Sequence, residues 1–352
     1  IVAETIAFEI PLKKVTENIS VLELFHGPTL AFKDVGARFM SRCLGYFLKN
    51  ETRKVTVLVA TSGDTGGAVA NGFYDVEGIE VVILYPKNRV SPVQEKQLTA
   101  LGKNIHALEV NGSFDDCQAL VKQAFSDESL NEKLLLTSAN SINVARWLPQ
   151  QIYYVLALKQ WLKNNSENPV ICVPSGNFGN ICAGILAHHR GLPVEHFIAA
   201  CNVNDVVPEY LRTEILQPKE TVATISNAMD VGDPSNFVRI LELFDKEFNQ
   251  VKNKLSGYTI DDGETLKTIE RVEKDYGYVL DPHGAVAFVA LEKYLAEKGG
   301  KGFFLETAHP VKFPDSVEKA TGKSVEIPKS LEELMRQEKF TTEINPQYEE
   351  LK

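Results

Sequence analysis

Short runs of β-branched and aliphatic residues alternate with stretches of helical apolar spacing along most of the chain. The pattern predicts strands at Val55–Ala60, Val81–Tyr85, Ile105–Val110 and Leu134–Thr137, with helices Gly66–Tyr74, Pro92–Leu101 and Phe114–Phe125 between them. Ser91 before Pro92, and Ser113 before Phe114, read as helix starts. A long helix, apolar on most faces, is predicted over Val144–Lys163, and the polar linker Asn164–Asn168 ends it. Beyond it come strand Val170–Val173, helix Ile181–His189 and strand His196–Ala200. Helices Pro234–Leu243, Thr265–Tyr276 and His283–Ala296, strand Gly302–Glu306 and a weak helix Ser330–Glu338 complete the reading. This alternation predicts an α/β protein of two domains, with mostly parallel sheets flanked by helices. Residues 53–150 are expected to form a smaller inserted domain, and residues 1–52 with 151–352 the larger one.

The run from Leu22 to Asp34 breaks this rhythm. Gly27-Pro28 interrupts an apolar stretch, and from Gly36 the spacing of Phe39, Cys43, Leu44 and Phe47 is helical. Lys33 is therefore expected just before a helix N-terminus, with Asp34 as its cap. The helix dipole and apolar neighbours both disfavour an ammonium ion there, which would make the amine nucleophilic. On this stretch alone, a lysine snorkelling out of a half-buried turn explains the pattern as well.

Composition narrows the function classes. The 352 residues are 44% hydrophobic and 24% charged, as in ordinary globular proteins, and no apolar run approaches a membrane span. Five cysteines without CxxC spacing and seven histidines without ligand spacing point to reduced thiols of a cytoplasmic protein and to no metal site. The net charge of −10 argues against nucleic acid as a partner, so an anionic ligand must be held by local groups.

Three such groups stand out. Gly176-Asn177-Phe178-Gly179-Asn180 follows a buried strand and opens a helix, the arrangement that offers free N–H groups to phosphate. It lacks the Gly-Lys-Ser/Thr of a P-loop and the GxGxxG of dinucleotide folds, and a generic tight turn explains it equally well. Ser62-Gly63-Asp64-Thr65 repeats the design after the first strand of the insert and suits a carboxylate. Asn140, Ser141, Asn143 and Arg146 form a third polar cluster at the start of the long helix, able to converge on an oxyanion or to serve only as helix caps. Three anion sites and one activated lysine in an acidic chain are what a pyridoxal phosphate enzyme acting on an amino acid requires, with a second anion on the substrate.

At these residues the sequence resembles the threonine synthase family, of the fold type II pyridoxal phosphate enzymes. The likeness runs in order through residues 22–40, 60–70, 84–96, 138–146, 173–180, 202–207, 226–231, 281–288 and 307–313. The resemblance implies that Lys33 forms the Schiff base with pyridoxal 5′-phosphate, that Gly176 to Asn180 bind its phosphate, and that Thr307 places a hydroxyl on the pyridine nitrogen. It implies further that the 62–65 loop holds the substrate carboxylate and the 140–146 cluster the substrate phosphate. The implied substrate is O-phospho-L-homoserine, converted with water to L-threonine and phosphate. A related serine/threonine dehydratase or β-replacement enzyme, and a non-catalytic pyridoxal phosphate-binding protein, are the alternatives. His283, in the 281–288 block, is expected either near the site or as a structural helix-start residue. Family members carry an additional N-terminal segment, so this chain is expected to start inside a longer one. Monomer and homodimer remain equally open.

Overall fold

The computed structural model describes residues 1–49 and 53–352. Its strands, among the described residues, are β1 (Leu12–Lys14), β2 (Ile19–Glu23), β3 (Val55–Ala60), β4 (Ile79–Pro86), β5 (Ile105–Val110), β6 (Leu135–Ser138), β7 (Val170–Pro174), β8 (His196–Cys201), β9 (Leu255–Thr259), β10 (Gly302–Glu306) and β11 (Thr341–Ile344). They form two sheets in two compact units, which together make the expected α/β architecture.

The first unit comprises Ile1–Ala7, Gly27–Arg146 and Ile327–Lys352. Its five-stranded sheet, ordered β11-β5-β4-β3-β6, is parallel throughout. All six residues of β3 are buried, as befits a central parallel strand covered by helices on both faces. One face packs against the helices Lys33–Phe47 and Asp64–Phe73, the other against Phe114–Ser126. The second unit comprises Phe8–His26 and Trp147–Glu326. Its sheet, ordered β1-β2-β10-β7-β8-β9, is parallel except for the edge strand β1, and the buried helix Pro282–Lys298 fills one face.

This division differs from the expected one. Residues 1–7, 27–49 and 327–352 join the insert rather than the larger unit, and residues 147–150 leave it. The helix Lys33–Phe47 packs on Asp64–Phe73 so closely that a Cβ at Gly72 would lie 3.0 Å from the Ala37 backbone, and β11 extends the sheet at β5. The predicted helix 144–163 is in fact broken into Val144–Trp147, a 3-10 turn Leu148–Gln150 and Gln151–Trp161. Pro149 lacks the N–H that a continuous helix needs. No described helix is long and apolar enough to cross a membrane.

Candidate functional site

In the first unit the sequence-selected residues gather at the carboxyl ends of β3 and β6, the edge where open parallel sheets hold their ligands. Lys33 is the first residue of its helix rather than the residue before it, and it is half-buried. Asp34 is not the cap: its fully buried carboxylate turns back to the preceding loop, accepting Thr29 N–H at 2.9 Å and Thr29 Oγ1–H at 2.6 Å. Gln97 donates to the Thr29 carbonyl at 3.0 Å, so the loop that delivers Lys33 is fixed from two sides.

The glycine loop after β3 also differs in detail. Its helix starts at Asp64, two residues earlier than the spacing predicts, which puts Asp64 and Thr65 in the first turn. Thr61, which sequence reasoning passed over, folds the loop by accepting Gly63 N–H at 3.0 Å and Gly66 N–H at 2.9 Å. Gly63 has φ +134°, and a Cβ there would lie 2.5 Å from the Gln94 carboxamide carbon, so only glycine suits the position. Gln94 in turn donates to buried Asp64 at 2.9 Å. Ser62 and Thr65 are half-buried.

In the third cluster the two amides shape the turn. Asn140 donates to the Ala60 carbonyl at 2.9 Å, joining this segment to the end of β3. Asn143 donates to the Ser138 carbonyl at 3.0 Å and accepts Ala145 N–H at 3.0 Å, capping Val144–Trp147. Ser141 is half-buried, whereas Arg146 is 4% exposed and donates to the Ala139 carbonyl. Burial lowers the Arg146 guanidinium to about 10, opposed by the Asp34 charge. The carboxylate whose charge acts on Arg146 is thus the buried one of Asp34, next to Lys33. The backbone of the lysine helix approaches Arg146 so closely that a Cβ at Gly36 would overlap the Arg146 carbonyl oxygen.

In the second unit β7 and β10 are parallel neighbours, so the 175–178 loop and Thr307 leave one sheet edge side by side. Ser175 N–H donates to Ala200 O at 2.8 Å, and Phe178 adopts φ +60° immediately before the helix Gly179–His189. Asn177 is held at both polar ends, its Oδ1 accepting from Ser235 at 2.8 Å and its carbonyl from Asn236 at 3.0 Å. Asn180 is the most informative residue. Its Oδ1 accepts from Tyr153 at 2.6 Å and Tyr154 at 2.7 Å. Both phenols are pushed well above their ordinary value by burial and remain donors. The same phenols also reach Gln150 Oε1 at 3.1 Å and the Asn180 carbonyl at 3.0 Å, and the amide Nδ2 lies buried and without a hydrogen-bond partner in the first turn of the helix. A buried orphan donor there suits an anion, and the residues present therefore fit a cofactor phosphate. The two tyrosines were invisible as site residues in the sequence, where they read as core of an apolar helix. Thr307 is buried directly after β10, beside the fully buried Glu306. Among the described residues no group of three or more His, Cys, Asp or Glu is placed to hold a metal.

The chain matches the pyridoxal-phosphate dependent enzyme family over residues 9–302, and the C-terminal region of threonine synthase over residues 284–352. Threonine synthase of Serratia marcescens is 50% identical over 324 residues, which cover 92% of this chain and 74% of that protein. The crystal structure of threonine synthase from Escherichia coli aligns with a TM-score of 0.91 at 47% identity, covering 99% of this chain and 81% of that one. The pyridoxal phosphate-bound threonine synthase from Brucella melitensis gives a TM-score of 0.91 at 36% identity over the same shares.

Proposed function

Since the chain belongs to the threonine synthase family of pyridoxal phosphate-dependent enzymes, we propose that it takes O-phospho-L-homoserine and water to L-threonine and phosphate, with Lys33 as cofactor tether and proton carrier. The observation that carries the reading is Asn180: two buried phenols lie on its Oδ1, and its Nδ2 is buried without a hydrogen-bond partner in the first turn of a helix. A donor so placed at a helix N-terminus suits an anion.

Gly176 to Asn180 would hold the cofactor phosphate, Thr307 Oγ1 the pyridine nitrogen and Lys33 Nζ the aldehyde carbon. Pyridoxal phosphate, when bound, supplies the electron sink that makes the carbon acid chemistry accessible. Lys33 Nζ would take the proton from the substrate Cα as general base. A hydroxyl at the position of Thr307 holds no proton on the ring, which suits elimination rather than amino transfer. Ser62 to Thr65 would receive the substrate carboxylate at the N-terminus of the helix Asp64–Phe73. Asn140, Ser141 and Asn143 would shape the substrate phosphate site, with the buried Arg146 charge behind them favouring the anion as it leaves Cγ. Water oxygen then joins Cβ, so that one phosphate leaves for each threonine formed. A cytoplasmic location belongs to the same proposal, and five unpaired thiols support it.

The test is a substrate assay on the cofactor-loaded protein. O-Phosphohomoserine should yield phosphate and threonine in equal amounts, and Lys33→Ala should abolish both turnover and the near-ultraviolet or visible band of the bound cofactor. Inert O-phosphohomoserine together with deamination of serine or threonine would replace this reading with a dehydratase.

A further inference from the structure

A buried chain of polar contacts runs through the second unit from β10 to the turn beneath Gly176. Glu306, the last residue of β10, accepts the Asp281 N–H at 2.7 Å. The Asp281 carboxylate accepts His283 N–H at 2.7 Å and His283 Nδ1–H at 2.6 Å. Across the ring, His283 Nε2 accepts the Ala228 N–H at 3.2 Å. An N–H cannot donate to a protonated ring nitrogen, so this bond requires a neutral imidazole with its proton on Nδ1, facing Asp281. Ala228 and its neighbour then close on the loop, since a Cβ at Gly176 would lie 2.6 Å from Met229 Cα and 3.0 Å from Ala228 O.

Helix capping does not account for this arrangement. Capping requires only the Asp281 carboxylate on the His283 N–H, whereas here the ring spends its second nitrogen on a turn 55 residues earlier in the chain. Histidine is the side chain that donates on one edge and accepts on the other across a rigid ring. Most of the group is closed to solvent: Asp281 and Glu306 are fully buried, His283 is buried, Ala228 is half-buried, and Phe313 packs its ring 4.8 Å from the imidazole. Burial first, and then the Asp281 charge, push the Glu306 carboxyl well above its ordinary range and toward its protonated form.

We propose that His283, oriented by Asp281, is a positioning residue that sets the Gly176 end of the phosphate loop by pinning Ala228 beneath it. The inference rests on that loop receiving the cofactor phosphate. It requires no contact between His283 and substrate or cofactor.

The experiment compares pyridoxal 5′-phosphate with pyridoxal, which lacks the phosphate, as ligands of the protein freed of cofactor. His283→Asn removes the acceptor for Ala228, and His283→Gln restores one near the former Nε2. His283→Asn should weaken pyridoxal phosphate binding about tenfold, the scale of one buried hydrogen bond, while leaving pyridoxal affinity unchanged. His283→Gln should recover most of the loss. Equal losses for both ligands, or no loss in His283→Asn, overturn the proposal while the loop assignment stands. A wild-type protein that binds pyridoxal as tightly as its phosphate overturns the loop assignment and the proposal with it. A second measurement needs no variant: nitrogen shifts of 15N-labelled histidine should show His283 protonated on Nδ1 alone, and a proton on Nε2 also overturns the proposal.

Discussion

Replacing Asn180 by aspartate isolates the group on which the functional reading depends. The substitution is isosteric and keeps the oxygen that accepts from Tyr153 and Tyr154, so the fold should hold. What changes is the buried atom without a partner, from an N–H donor to a carboxylate oxygen. Against a phosphate the variant loses a charge-assisted hydrogen bond, about 2 kcal/mol. It also gains repulsion of about 4 kcal/mol for like charges at about 4 Å and an effective dielectric constant of about 20. Together these predict a loss of roughly ten-thousandfold in pyridoxal phosphate affinity. A carboxyl facing a phosphate takes up a proton more readily as pH falls, so the deficit should shrink toward acid. Thermal melting gives the assay: inorganic phosphate should raise the melting temperature of the wild type by linkage, and that of Asn180→Asp much less. A variant that folds and is stabilised by phosphate as strongly as the wild type would refute the argument.

Two further predictions concern stability. His196, whose Nε2 lies 2.8 Å from Ser256 Oγ and whose ring stacks on Tyr294, is lowered from 6.5 to about 4 by burial and then by the Lys254 charge. His309 is lowered to about 4 by burial and then by His26. In both cases the fold favours the neutral ring, so the stabilisation is complete above about pH 6.5 and is lost as pH falls toward 4. It amounts to about 3 kcal/mol for His196 and less for the more exposed His309. Urea midpoints at several pH values should show this slope, and His196→Gln should flatten it; an unchanged slope would contradict the assignment. Gly284→Ala would place a methyl group inside the Glu306 carboxyl, which is fully buried and bonded to the Asp281 N–H. We expect a loss of about 3 kcal/mol from overpacking, measured by urea unfolding, with near-wild-type stability as the contrary result.

The parallel strands were legible because burial on both faces leaves an unbroken apolar run, as in Val55–Ala60. Edge strands carry no such mark. Thr341–Ile344 and Leu12–Lys14 are mostly polar and exist as strands only through their partners β5 and β2. The grouping of residues 27–49 and 327–352 with the insert was illegible for a related reason, since it depends on packing between segments far apart in sequence.

At the candidate site, short-range rules pointed to residues that the fold brings together, but not to the contacts that several of them make. Asp34 satisfied the rule for a helix cap, yet its carboxylate holds Thr29. Asn140, Asn143 and Arg146 had the chemistry to converge on an oxyanion, yet the two amides bind carbonyls at the ends of β3 and β6 and the guanidinium points inward. Periodicity cannot separate these roles, because a side chain that builds a loop and one that binds a ligand through it share composition and position. What separates them is whether the polar atoms are already satisfied. By that criterion Asn180 is distinguished from Asn140 and Asn143: two tyrosines fill its acceptor and leave its donor over, a difference that exists only once residues 153, 154 and 180 are brought together.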